Sequence, residues 1–125
     1  MTTLLLLLSF VFAQPAVTAS DAWLTESTAD GTAEAYLSIR NPTMYDIYVV
    51  KANSDVAEKI DFREGDKALK EITVASYGSL ELAPGGTFLR LTGLKKPLRP
   101  GDAVELVLTT DGGIVLKLSA PVKKP

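Results

Sequence analysis

Apolar residues recur at alternate positions in short runs, and turn residues interrupt those runs every 8–12 positions. That period belongs to strands with one buried and one exposed face, and it excludes a helical fold. Ala33, Ala35, Leu37 and Ile39 alternate with Glu34, Tyr36, Ser38 and Arg40. Asn41-Pro42-Thr43 stops this strand, because proline brings no N–H to a ladder. Residues 45–52 and 56–62 form the next two strands, followed by a turn at Arg63-Glu64-Gly65-Asp66. Residues 69–75 are again extended, and Tyr77-Gly78 turns the chain into 80–82. Pro84-Gly85-Gly86 is a strong turn signal, after which Phe88, Arg90 and Thr92 alternate with Leu89 and Leu91. Val104, Leu106 and Leu108 share a face, and Asp111-Gly112-Gly113 returns residues 114–118 antiparallel to them. The pattern predicts an all-β chain, an antiparallel sandwich or barrel of eight or nine strands.

Composition narrows the chemistry. Among 125 residues there is no cysteine and no histidine, one tryptophan and two methionines, one of them the initiator. Disulfides, thiolate nucleophiles, histidine bases and Cys/His zinc sites are therefore excluded. With nearly every common catalytic group missing, an enzyme is not expected. The 15 acidic and 13 basic residues leave a net charge of -2, which argues against a nucleic-acid surface. The basic clusters Lys95-Lys96 with Arg99 and Lys123-Lys124 are too short for a polybasic patch.

Residues 1–19 carry no charged side chain, and residues 4–8 are all leucine. The apolar run is too short to span a bilayer, so it reads as the core of an export signal. Val17-Thr18-Ala19 offers small residues to a signal peptidase, which places the boundary after Ala19. The expected organisation is a signal peptide, 1–19, and one domain, 20–125. Its n-region holds only the terminal amine, so the signal is atypical or the true start lies upstream. The mature chain is expected to be periplasmic or otherwise exported, monomeric and without a membrane span.

Several segments, in order, resemble the periplasmic copper chaperone family PCu(A)C. Asp21-Ala22-Trp23 is similar to its opening strand, and Ala35-Tyr36-Leu37-Ser38-Ile39-Arg40-Asn41 to its AYLTIRN-type strand. Ala57-Glu58-Lys59-Ile60-Asp61-Phe62 resembles its AEKVEL-type strand, and Leu82-Ala83-Pro84-Gly85-Gly86 its LKPGG turn. The block from Leu91 to Asp102 resembles LMGLKKPLKEGD. The resemblance covers residues 21–120. It implies a cupredoxin-like Greek-key β-sandwich that binds Cu(I) and passes it to the copper centre of cytochrome c oxidase. The family's ligands follow an H…M…H-x-M motif, whose thioether and imidazole groups suit soft Cu(I).

At the corresponding positions this sequence carries Arg63 for the first histidine and Phe88-Leu89-Arg90 for the H-x-M pair. The first methionine has no clear counterpart; the nearest candidate is around Asp66, in a shortened 60–72 segment. Arginine is a permanent cation without a lone pair to give a metal. The resemblance thus implies a divergent member with a degenerate metal site, no Cu(I) cofactor and a periplasmic protein partner. Such a binding module would assist copper-protein assembly through protein contacts. The alternative is a genuine copper chaperone that uses nonstandard or partner-supplied ligands.

Arg63 and Arg90 are the candidate contact residues. On the family fold they project near each other, where two guanidinium groups suit a carboxylate, a phosphate or an acidic partner surface. The competing expectation pairs each with a local acid such as Glu64 or Glu81. Three further expectations are structural. Trp23 anchors a core or strand edge, and Met44 fills a partly buried gap. Asp61, Glu64 and Asp66 form a solvated hairpin rather than a Ca²⁺ site.

Overall fold

The computed structural model describes residues 16–28 and 31–124. Most of the segment read as an export signal, residues 1–15, lies outside them. The described chain forms ten strands: β1 (Thr18–Thr25), β2 (Ala33–Arg40), β3 (Ile47–Asn53), β4 (Ala57–Glu64), β5 (Lys67–Leu69), β6 (Ile72–Val74), β7 (Ser79–Leu82), β8 (Thr87–Leu94), β9 (Ala103–Thr110) and β10 (Val115–Lys123). Their spatial order is β5-β4-β8-β2-β1-β10-β9-β3-β6, with β7 also pairing β2. The two layers meet where β1 and β10 pair at Leu24↔Val122 and Thr25↔Lys123. At the other margin the chain passes directly from β5 to β6, so the sheet is nearly closed. No helix among the described residues is long and apolar enough to cross a membrane.

The all-β expectation holds, with ten strands in place of eight or nine. The predicted strand over 69–75 is two strands. Leu69 pairs with Phe62 of β4, Ile72 pairs with Val49 of β3, and Lys70-Glu71 carries the chain from one layer to the other. The ladder is also not wholly antiparallel, because the β1–β10 contact is parallel. The turn read at 63–66 shrinks to Gly65-Asp66, with Arg63 and Glu64 inside β4. Gly65 takes φ 60°, the left-handed conformation that glycine adopts without steric cost, and this permits so tight a reversal.

The alternation sets the core. Ala33, Ala35, Leu37 and Ile39 all point inward and are buried, as are Leu89, Leu91, Val104, Leu106 and Leu108. Each fully buried leucine or valine contributes about 1.5–3 kcal/mol relative to exposure. β7 and β8 both run antiparallel to β2, at Leu37↔Leu82 through Arg40↔Ser79 and at Ala33↔Leu91 through Ala35↔Leu89. The Ala83–Gly86 turn is thus an excursion between two segments on the same side of β2, closed by the Ala83 N–H donating to the Thr87 carbonyl at 3.1 Å. It sets the register of Phe88 and Arg90.

Candidate functional site

Residues directly opposite in a ladder share a face. The β4–β8 register sets Arg63 opposite Phe88 and Asp61 opposite Arg90. The β2–β8 register sets Glu34 on the other side of Arg90, and β1 sets Trp23 opposite Tyr36. All these side chains leave the outer face of the β1-β2-β8-β4 layer, since Phe62, Leu89 and Ala35 between them point to the core. The sequence-predicted trio Arg63, Phe88 and Arg90 is therefore brought together.

Phe88 and Arg90 of the trio belong to an aromatic stack. The rings of Trp23 and Tyr36 lie 4.7 Å apart, and those of Tyr36 and Phe88 lie 6.4 Å apart, both tilted. A cation caps each end: Lys123 Nζ is 5.9 Å from the Trp23 ring centre, and Arg90 Cζ is 5.5 Å from that of Phe88. Such contacts are worth roughly 0.5–1.5 kcal/mol each beyond area burial. Glu34 closes the chain. Its Oε1 accepts the Tyr36 hydroxyl at 2.5 Å, and its Oε2 lies 3.6 Å from Arg90 Nη2. Trp23 is therefore a half-buried member of an outer-face stack, not a core anchor.

Tyr36 occupies an outward position yet is only 3% exposed. Burial first, then the hydrogen bond and the charge of Glu34, push its hydroxyl above the ordinary tyrosine range. The folded protein therefore holds this phenol neutral at a pH where the unfolded chain ionises. That contribution to stability is complete below about pH 10 and is lost as pH rises beyond it. The urea midpoint is expected to fall between pH 9 and pH 11, and to fall less in Tyr36→Phe. Equal slopes in the two proteins would remove Tyr36 as the cause.

The arginines find other partners than Glu64 and Glu81. Arg90 takes Glu34, while Glu81 accepts the Ser38 hydroxyl. Arg63 Nη2 donates to the Asp66 carbonyl at 2.5 Å, across the hairpin, and its Nε is buried without a partner. Asp61 sits 3.6 Å from Lys59 Nζ. Among the described residues no three His, Cys, Asp or Glu side chains gather closely enough to hold a metal ion, so Asp61, Glu64 and Asp66 do not converge. A depression of about 450 Å³ beside the stack is lined by Thr25, Glu26, Ser27, Thr32, Ala33, Glu34 and Tyr36 among others, and the polar side-chain groups of these residues are hydroxyls and carboxylates. Guanidinium and phenyl groups give Cu(I) no lone pair, so positions 63, 88 and 90 do not fit that ion.

Met44 is not a gap filler. It is 61% exposed, beside Tyr45 at 70% and Tyr77 at 72%, on the β2–β3 and β6–β7 loops. The space beneath these loops is taken by Asn41, which is fully buried. Its Nδ2 donates to the carbonyls of Tyr45, Val74 and Ala75, and its Oδ1 accepts from the N–H and hydroxyl of Thr43. The Tyr77 N–H donates to the Thr43 carbonyl at 3.0 Å and ties the loops together. Tyr77 has φ 56°, rare for a bulky side chain. Glu34, opposite Arg90, and Arg40 at the end of β2 are six residues apart, about 20 Å along a strand. Met44 lies beyond that end, on the β2–β3 loop, away from position 90. Sequence reading missed this end, although Asn-Pro-Thr is a turn pattern in which an asparagine side chain bonds the backbone two residues on.

The profile of the family described as "Putative lipoprotein LpqE-like" matches residues 17–122. The chain belongs to the LpqE-like family. It is also 28% identical over 116 residues to "Putative lipoprotein Lxx21020" of Leifsonia xyli subsp. xyli (strain CTCB07), covering 86% of this chain and 69% of that protein. The LpqE-like fold superimposes on the "Copper-bound PCuAC domain from PmoF2" with a TM-score of 0.81 at 19% identity, over 91% of this chain and 97% of that one. For the "Solution structure of CuI-DR1885 from Deinococcus Radiodurans" the TM-score is 0.73 at 25% identity, over 94% and 86% of the two chains. The LpqE-like chain thus has the cupredoxin-like fold of PCuAC domains. Its 125 residues include no cysteine, so none of them can carry a lipid through sulfur.

Proposed function

We propose that this chain is an exported, monomeric binding module of the copper-chaperone type whose own residues do not coordinate Cu(I). It serves copper-protein assembly in the periplasm, cytochrome c oxidase included, through contacts with a protein partner and without catalysis. The closed stack of Trp23, Tyr36, Phe88, Arg90 and Glu34 carries this reading. It fills the outer face where the resemblance places the histidines and methionine, with the Arg90 guanidinium in it and Arg63 opposite Phe88 on the neighbouring strand. Copper in the names of the matched PCuAC and DR1885 structures supports the copper context. Anaerobic titration against a chromophoric Cu(I) chelator is expected to leave the copper with the chelator. Equimolar withdrawal of Cu(I) by the monomer would overturn the reading.

The partner contact is assigned to Arg63 and Arg90. Arg63→Ala with Arg90→Ala is expected to lose capture of a periplasmic protein while the circular dichroism spectrum stays that of a folded β protein. An unchanged set of captured proteins would reject the arginine contact. One observation favours a second reading, in which a partner supplies copper ligands: the Met44 thioether is exposed on a loop held by Asn41. Copper bound by the complex, and by neither protein alone, would support it.

A further inference from the structure

The exposed large apolar side chains of the described residues collect at one end of the fold. Met44 and Tyr45 stand on the β2–β3 loop, Tyr77 on the β6–β7 loop, and Ile114 and Val115 on the β9–β10 hairpin. Strand pairing brings these loops together. β2 ends where β1 and β7 begin, at Arg40↔Thr18 and Arg40↔Ser79. β3 begins where β6 and β9 end, at Ile47↔Val74 and Val49↔Thr110. The Ser76 N–H donates to Asp46 Oδ1 at 2.9 Å, and the Asp111 N–H donates to the Tyr48 carbonyl at 2.9 Å. With the Tyr77–Thr43 bond, these contacts fix the loops to one another, so little order is lost when their side chains are covered.

The loops carry only Asp46 and Asp111 as charged residues, and each carboxylate accepts a backbone N–H, from Ser76 and from Tyr48. Arg40 ends β2 beside them, so this end is apolar and nearly neutral. Two observations select a lipid surface as its occupant. Tyrosine joins an apolar ring to a polar hydroxyl and is enriched where a bilayer meets water, and side chains that project this far suit a deformable surface. The chain also enters β1 at this end, with Thr18 opposite Arg40, so the uncharged apolar sequence that precedes β1 joins the domain beside the patch. We propose that this end docks on a phospholipid surface, with Tyr45 and Tyr77 at the level of the headgroups and Met44, Ile114 and Val115 against the acyl boundary. With so few cations the contact is hydrophobic, so it withstands salt and needs no anionic lipid. The face bearing Arg63 and Arg90 stays free for the protein contact proposed above.

The test adds the purified protein, with the N-terminus the cell leaves on it, to phosphatidylcholine bicelles carrying a spin-labelled lipid, and reads the paramagnetic broadening of its backbone amides by NMR. The amides of residues 43–46, 76–78 and 111–115 are expected to broaden most, and those of 103–105 and 118–120 least. Tyr45→Asp with Tyr77→Asp should reduce that broadening at least about fivefold. Both side chains are exposed, and aspartate tolerates the left-handed conformation at position 77, so the fold is kept. Ala103→Asp with Ser119→Asp, exposed towards the other end of β9 and β10, should leave the broadening unchanged. Broadening that is absent, centred elsewhere or undiminished in the tyrosine variant overturns the proposal. Self-association or capture of a periplasmic protein, lost in the tyrosine variant while lipid contact is missing, overturns it too and assigns this end to a protein. None of these outcomes bears on Cu(I) or on the arginine contact, which stand or fall separately.

Discussion

Asn41→Ala is expected to lower the unfolding free energy by about 3–5 kcal/mol, read as a large fall in urea midpoint. The side chain is fully buried. Its Nδ2 reaches three carbonyl oxygens at 2.7, 3.1 and 3.2 Å, and its Oδ1 receives the Thr43 N–H at 3.0 Å and hydroxyl at 2.6 Å. Those carbonyls belong to the β2–β3 loop and to the end of β6, so one amide joins the two layers. Alanine leaves them without their partner, and each orphaned buried group costs about 1–3 kcal/mol. Asn41→Asp separates donation from packing. It keeps the Thr43 contacts but sets a carboxylate against three carbonyl oxygens, and should lose about as much. A loss under about 1 kcal/mol in Asn41→Ala would show that water takes over the amide's role.

The same residue shows where sequence reasoning runs out. Alternation made Ala33 to Ile39 legible as a strand, because one face of it is buried against the core. Asn41 lay just past that alternation, and nothing local says that a loop asparagine is sealed from water by β6, more than thirty residues away. Tyr36 misled in the other direction. Alternation places it outward correctly, yet Trp23 and Phe88 from two other strands cover it. The available signal was the set of aromatics at outward positions of β1, β2 and β8. Met44, read as a gap filler, is exposed, and the buried side chain of that loop is Asn41. The grouping of Arg63, Phe88 and Arg90 was legible through the resemblance, whereas their partners depend on register and were not.

The triple variant Arg63→His, Phe88→His, Arg90→Met is expected to gain equimolar Cu(I) binding, with affinity rising at least about a thousandfold, on the order of 4 kcal/mol. Positions 63 and 88 are direct ladder partners, so their β-carbons stand about 5 Å apart. Positions 88 and 90 follow on the same face of one strand, about 7 Å apart. Two imidazoles and a thioether would converge there, a donor set suited to soft Cu(I). The change also removes two cations and frees the Glu34 carboxylate from Arg90, which favours a positive ion. Its cost is the Tyr36–Phe88 and Phe88–Arg90 contacts, roughly 1–3 kcal/mol of fold stability, so folding must be confirmed first. Phe88→His with Arg90→Met alone retains the Arg63 cation opposite the new imidazole and should bind far more weakly. A folded triple variant that leaves all copper with the chelator would show that positions 63, 88 and 90 do not correspond to the family's ligands. In that case the closed stack would be an ordinary outer-face support.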